Sequence, residues 1–327
     1  MKRSALDVIV CPACKGELTL RASTTEREEI VEGQLDCGLC ETMFPITNGV
    51  PRFVPQDAYA RSFGYQWNWF RTVQLDSLNR TSESDRALAG ATGWTDAEFS
   101  GRRLLDAGVG AGRFADRASA KGAEVFGVDL TMAVDAAYRN IGMRPNVHLF
   151  QADIFAMPFR DGTFDLAYSI GVLHHTPAPR EAFARVASTV RPGGKLAVYL
   201  YARYGPSHKA SDAIRALTTR LPLKVMWGLS AVAIPLYYLY RVPGIGKALQ
   251  LAAPISMEPA ARWRWLDTFD WYTPKYQFKY LYPEIFRWFR ENGFRDIEIF
   301  DGPIRMSGKK VTDAGADVRR FPRLVAS

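Results

Sequence analysis

The chain has 327 residues, 47% of them apolar, which suits one large α/β domain with a small appended module, or two medium domains. A formal net charge of +8 permits contact with nucleic acid, anionic lipid or acidic substrates, and no run of five consecutive Lys/Arg selects among them. All four cysteines precede residue 41, unlike the bridges of a secreted scaffold, and Lys2, Arg3 and Asp7 interrupt any signal-peptide run; a cytoplasmic protein is expected.

Five regions follow in order: a cysteine-bearing segment (1–55), a helical linker and cofactor cover (56–100), a stretch alternating short apolar runs with helices (101–202), a helical and aromatic insert (203–280), and a helix with the last strands (281–327). In the first region, Cys11-Pro-Ala-Cys14 and Cys37-Gly-Leu-Cys40 are two Cys-x-x-Cys pairs with 22 residues between them. Each pair offers two thiolates from one knuckle, and two knuckles complete a tetrahedron for zinc. Four thiolates leave no open position, so the metal is expected to be structural. Gly16 and Gly38 stand where the knuckles are expected to turn.

The third region reads as βαβ units. Residues 103–107 form a first strand, 113–121 a helix, 124–128 a second strand ending at Asp129, 147–151 a third and 164–169 a fourth. A helix follows at 180–190, a tight turn at Pro192-Gly193-Gly194, and a fifth strand at 196–201. Right-handed crossovers would make the sheet parallel, with helices on both faces.

The stretch Leu104-Leu105-Asp106-Ala107-Gly108-Val109-Gly110-Ala111-Gly112-Arg113 resembles the first motif of class I S-adenosylmethionine (SAM)-dependent methyltransferases, with a core of the ubiquinone/menaquinone-biosynthesis type. Glycines after a strand let the backbone turn sharply and approach a ligand. The dinucleotide fingerprint G-x-G-x-x-G/A would need Gly or Ala where Arg113 stands. The resemblance implies an α/β fold: a Rossmann-like, seven-stranded class I methyltransferase sheet with an N-terminal zinc ribbon and a helical insert. It assigns SAM to Asp106, Gly108, Gly110, Gly112, Asp129, Leu130, Asp153, Ile154 and Ser169. Asp129 is implied at the ribose hydroxyls, Asp153 at the adenine amino group, and Asp106 beneath the loop and the methionine end. Residues 7–55, with Phe44-Pro45-Ile46 and Asn48-Gly49-Val50-Pro51, resemble the small zinc-ribbon activator subunits of tRNA and protein methyltransferases, which implies a stabilising or docking role for Cys11, Cys14, Cys37 and Cys40. Because the implied cofactor residues all follow residue 100, loss of the ribbon is expected to leave SAM binding largely intact.

A sulfonium methyl donor is already activated, so a base is needed only where the acceptor must lose a proton. His174 and His175, after the fourth strand, are the candidate catalytic residues. Residues 225–240 carry no charge; they fall short of the ~20 residues of a spanning helix and contain Pro235. They read as a buried lid helix or as a peripheral membrane contact. The expected reaction is methylation of an oxygen or nitrogen, more than carbon, of a small-molecule or lipid-linked metabolite. Methylation of RNA is the alternative, as is a catalytically silent SAM-binding adaptor working through its ribbon. The aromatic stretches at 63–70 and 263–272 read as core or as a pocket lining for a ring or polyprenyl chain.

Overall fold

The computed structural model describes residues 1–54, 69–204 and 207–312. Of the aromatic stretch at 63–70, residues 63–68 lie outside this set.

The N-terminal unit is a four-stranded antiparallel sheet in sequence order: β1 (Leu18–Glu26), β2 (Glu29–Cys37), β3 (Met43–Thr47) and β4 (Val50–Pro51). Asn48 and Gly49, with φ of 51° and 77°, make the tight hairpin between β3 and β4. The cysteine knuckles turn at Lys15 (φ 61°) and Glu41 (φ 57°), one residue after the second cysteine of each pair. Gly16 serves space instead: a Cβ there would lie 3.2 Å from Cys37 Sγ and 3.3 Å from Cys14 Sγ.

Helices α1 (Asp76–Asn79), α2 (Glu83–Thr92) and α3 (Asp96–Phe99) lead into the large sheet. Its strands are β5 (Arg103–Ala107), β6 (Glu124–Asp129), β7 (Val147–Gln151), β8 (Phe164–Ile170), β9 (Val190–Tyr199), β10 (Phe294–Phe300) and β11 (Arg305–Lys310). They lie in the order β10-β11-β9-β8-β5-β6-β7, parallel except for β11, which is antiparallel to both its neighbours. The central strands are buried along most of their length because helices cover both faces; every residue of β7 is buried, His148 and Gln151 included. Between them run α4 (Arg113–Ala120), α5 (Ala133–Ile141) and α6 (Pro179–Thr189). The Pro192-Gly193-Gly194 stretch is part of β9 rather than a turn before it. A Cβ on Gly194 would sit 2.6 Å from the Asp165 carbonyl, so glycine lets the strand bulge against β8.

The ribbon is welded to this sheet. Its Ile9, Ile30, Leu35, Phe44, Ile46 and Phe53 belong to the same buried cluster as Leu105, Phe126, Phe150 and Phe159. β7 would otherwise be a bare edge; Arg52 pairs beside Gln151, and the Phe53 amide donates to the Gln151 carbonyl at 2.8 Å. Lys2 donates to the Gly142 and Val147 carbonyls, Lys15 to those of Met157 and Phe159, and Arg52 pairs with Asp135 at 2.5 Å.

The insert is helical: α7 (Ser207–Thr218), α8 (Leu223–Ala231), α9 (Ala233–Tyr240), α10 (Ile245–Ala252) and α11 (Ala261–Tyr272), with α12 (Tyr282–Glu291) returning to the sheet. Pro235 has no N–H for the Ala231 carbonyl, and α8 ends at that residue. By length and composition Leu223–Tyr240 would reach across a membrane, yet only 22% of it is buried. The buried lid helix read from the sequence is thus two helices, most of whose residues are not buried.

Candidate active site at the carboxyl ends of the parallel strands

A cavity of about 460 Å³ opens at the carboxyl ends of the central strands, within the ~300–1,000 Å³ usual for small-ligand sites. One side is built by the loops after β5, β6 and β7 and carries Gly108, Gly110, Asp129, Leu130, Asp153 and Ile154. Gly108 takes φ 98°, and a Cβ there would fall 2.3 Å from Val172 Cγ2, so the turn admits only glycine. Gly112 (φ 89°) caps α4 and faces Ile141, outside the cavity wall.

The Asp129 carboxylate closes the glycine loop. It accepts from the Gly110 amide (2.9 Å), the Thr131 amide (2.9 Å) and the Thr131 hydroxyl (2.7 Å). Burial nevertheless raises its pKa, and that of Asp153, whose Oδ1 accepts from the Phe155 amide at 3.0 Å. Asp106 lies beneath the loop rather than in the wall. It is buried against the Tyr168 hydroxyl, which donates at 2.9 Å, and burial, then the nearby Asp129 charge, raise it to about 7. Ser169 is also buried below, donating to the Ala107 carbonyl at 2.8 Å. Asp106, Gly112 and Ser169 therefore shape the loop from behind, while the other six implied cofactor residues face the cavity.

The histidines divide. His175 lines the cavity; its Nδ1 lies 2.8 Å from the Tyr276 carbonyl, so this nitrogen carries the proton and Nε2 keeps the lone pair. Desolvation lowers its pKa to about 4, so the ring is neutral at physiological pH. His174 is fully buried behind it, sandwiched between the His175 and Tyr201 rings at 4.1 Å each, and is outside the wall.

The opposite side belongs to the insert. Trp263, Leu266, Asp267 and Asp270 of α11 fall at i, i+3, i+4 and i+7 and face the cavity. Trp265 and Phe269, on another face, pack against Trp227 of α8, with ring centroids 4.6 and 5.3 Å apart. Asp267 accepts from the Ser256 hydroxyl at 3.2 Å, and burial, followed by the charge of Asp270, raises it to about 7. Neither aspartate was singled out from the sequence. Their signal was there: two carboxylates at helical spacing inside an aromatic run, more than a solvated face needs.

The four cysteine sulfurs all lie within 4.8 Å of one another, with Cys14–Cys37 at 3.4 Å and Cys11–Cys40 at 3.6 Å. Zn–S bonds of about 2.3 Å in a tetrahedron require S···S near ~3.8 Å, so the set fits a closed zinc site.

Residues 105–198 match the family model described as a methyltransferase domain, and residues 2–49 match that of Trm112p-like protein. The ubiquinone biosynthesis O-methyltransferase of Aromatoleum aromaticum is 35% identical over 109 residues, 32% of this chain and 46% of that protein. The tRNA U34 carboxymethyltransferase of Pseudoalteromonas translucida is 35% identical over 100 residues, 29% and 31% of the two chains. A crystal structure of an S-adenosylmethionine-dependent methyltransferase from Mesorhizobium loti is 30% identical, covering 36% of this chain and 51% of that one, with a TM-score of 0.31. The chain thus spans about half or less of the length of these relatives. The strand order, the glycine loop with its carboxylates, the four-thiol knuckle pair and the two family matches agree: this chain carries a methyltransferase domain of the SAM-dependent class behind a Trm112p-like domain whose four cysteines can hold zinc.

Proposed function

We propose that the enzyme transfers a methyl group from SAM to an oxygen or nitrogen of a small, apolar or lipid-linked acceptor. The observation that carries this reading is the two-sided cavity. Glycine loop, Asp129 and Asp153 stand on one side, and an aromatic wall bearing Asp267 and Asp270 on the other. SAM bound there would supply a methyl carried on a sulfonium, which needs alignment and exclusion of water more than activation. Asp129 suits the ribose hydroxyls, and Asp153 the adenine amino group.

An acceptor hydroxyl must lose its proton as the new bond to carbon forms and the sulfonium–carbon bond breaks; an ammonium must lose one before its nitrogen has a lone pair to attack with. Asp267 is better matched to take that proton than His175, because a base is most useful when its pKa lies near working pH. Trp263, Leu266 and Trp271 offer flat apolar walls to a ring or chain.

Methylation of RNA is the second reading, favoured by the +8 charge and by the name of the tRNA-modifying relative. Against it, the cavity wall carries, among the described residues, Glu258, Asp267 and Asp270 with Arg113 as its one cation, a lining with little to attract a phosphate backbone. Incubation with labelled SAM and, separately, total RNA and a lipid-plus-metabolite extract tests the choice. Label is expected in the extract. Label confined to RNA, weakening steeply as salt rises, would overturn it.

A further inference from the structure

The insert presents an apolar stripe to solvent. Val225, Leu229, Val232, Pro235, Leu239 and Val242 follow one another at three- and four-residue steps along α8 and α9, and all six are exposed. Leu229 is 52% and Leu239 45% exposed, far more than a helix stripe that has found its core. Tyr238, Ile245 and Leu251 are exposed apolar residues of the same insert. Patches of this kind mark an interaction surface.

Charge says what the partner is. From residue 213 to residue 257 the chain has no Asp or Glu, whereas Arg220, Lys224, Arg241 and Lys247 are all exposed. Lys224 and Arg241 flank the uncharged 16 residues. An apolar stripe rimmed by cations complements an anionic bilayer surface: the stripe enters the headgroup boundary, and the cations meet the phosphates.

The opposite face rules out a span. Trp227 packs against Trp265 and Phe269, Arg264 donates to the Ile234 carbonyl at 3.1 Å, and the Tyr240 hydroxyl donates to the Ala253 carbonyl at 2.7 Å. Insertion across a bilayer would break every one of these. We propose that α8 and α9 seat the protein on anionic membranes with the stripe down and α11 above it. α11 then stands between the bilayer and the cavity, since one of its faces packs on α8 and another lines the cavity. The binding itself does not depend on which acceptor is methylated.

The test is co-sedimentation of the full chain with phosphatidylcholine vesicles with and without 30 mol% (about a third) phosphatidylglycerol, a composition giving the negative surface potential required. Binding is expected only to the anionic vesicles. Neutralising two cations, Lys224→Gln with Arg241→Gln, should weaken it roughly thirtyfold, about fivefold per charge. Leu229→Asp with Leu239→Asp should abolish it while leaving S-adenosylhomocysteine binding unchanged, which certifies the fold of the variant. Four results would each overturn the proposal. These are no binding to anionic vesicles, binding indifferent to both substitution pairs, resistance to alkaline extraction as for a spanning helix, and self-association of the soluble protein, lost in the leucine variant, in place of vesicle binding.

Discussion

Removing the ribbon's metal should unfold more than the ribbon. From the sequence, Cys37→Ser was expected to spare SAM binding, because every implied cofactor residue follows residue 100. The structure argues the reverse. Ile9 and Phe53 of the N-terminal unit lie against Phe159 and Phe150 of the sheet domain. Separating the units would wet all four side chains, each contributing about 1.5–3 kcal/mol when buried, or roughly 6–12 kcal/mol together as an upper figure. That is of the order of a whole domain's stability of about 5–15 kcal/mol, so the two units should melt as one. The damage also has a route into the cofactor site. Arg52 pairs with Asp135 and donates to the Gln151 side chain at 3.3 Å; Gln151 in turn donates to the Leu130 carbonyl at 3.0 Å, and two residues beyond Gln151 stands Asp153. Leu130 and Asp153 both face the cavity. Differential scanning calorimetry of the native protein and of Cys37→Ser, with titration of S-adenosylhomocysteine into each, measures both effects. A single transition moved down by many degrees, with weaker ligand binding, is expected. Two transitions, the later one unmoved and ligand affinity intact, would refute the coupling.

Asp129→Ala should weaken S-adenosylhomocysteine binding by about 1–3 kcal/mol by calorimetry, since it removes both the hydroxyl acceptor and the clasp on Gly110 and Thr131. Asp267→Asn should lower turnover more than SAM affinity and alter the pH–rate profile. With a carboxyl raised to about 7 acting as base, activity should climb as pH passes through 7, and the variant should lose that limb. A pH–rate profile unchanged in the variant would remove Asp267 from the role. His175→Gln, in the cavity wall, should change acceptor KM or turnover at constant stability; His174→Gln, behind it, should instead lower the melting temperature, because it disturbs a buried ring stack.

How much of this could be read in the chain depended on how local the cause was. The glycine loop is dictated by positions 104 to 113 alone: an apolar strand, then residues at φ angles that glycine tolerates, and the structure has β5 at the predicted residues. β6 and β7 were equally legible because each holds a short run of large apolar residues, Val125-Phe126 with Val128 and Leu149-Phe150 after Val147, set between turns. Non-local causes were not. The start of β9 depends on the approach of the Gly194 backbone to Asp165 on another strand. The role of Gly16 depends on where two distant thiols lie. The difference between His174 and His175, adjacent in sequence and alike in chemistry, depends on Tyr201 and on the Tyr276 carbonyl 101 residues away.

The same distinction divides the site itself. The cofactor side is backbone and short loops at strand ends, so its ligand follows from a motif. The side proposed for the acceptor is one face of a helix held in place by its other face: Asp267 and Asp270 reach the cavity because Trp265 and Phe269 anchor α11 on Trp227. Substitutions on the cavity face of α11 are therefore expected to change which acceptor is taken more than SAM affinity, as acceptor competition and S-adenosylhomocysteine titration would measure. Substitutions at Trp227, which packs against Trp265 and Phe269 of α11, should shift the whole face and are expected to impair every acceptor alike. On the proposed reading, specificity would be set by what α11 presents, and its precision by the aromatic packing beneath it.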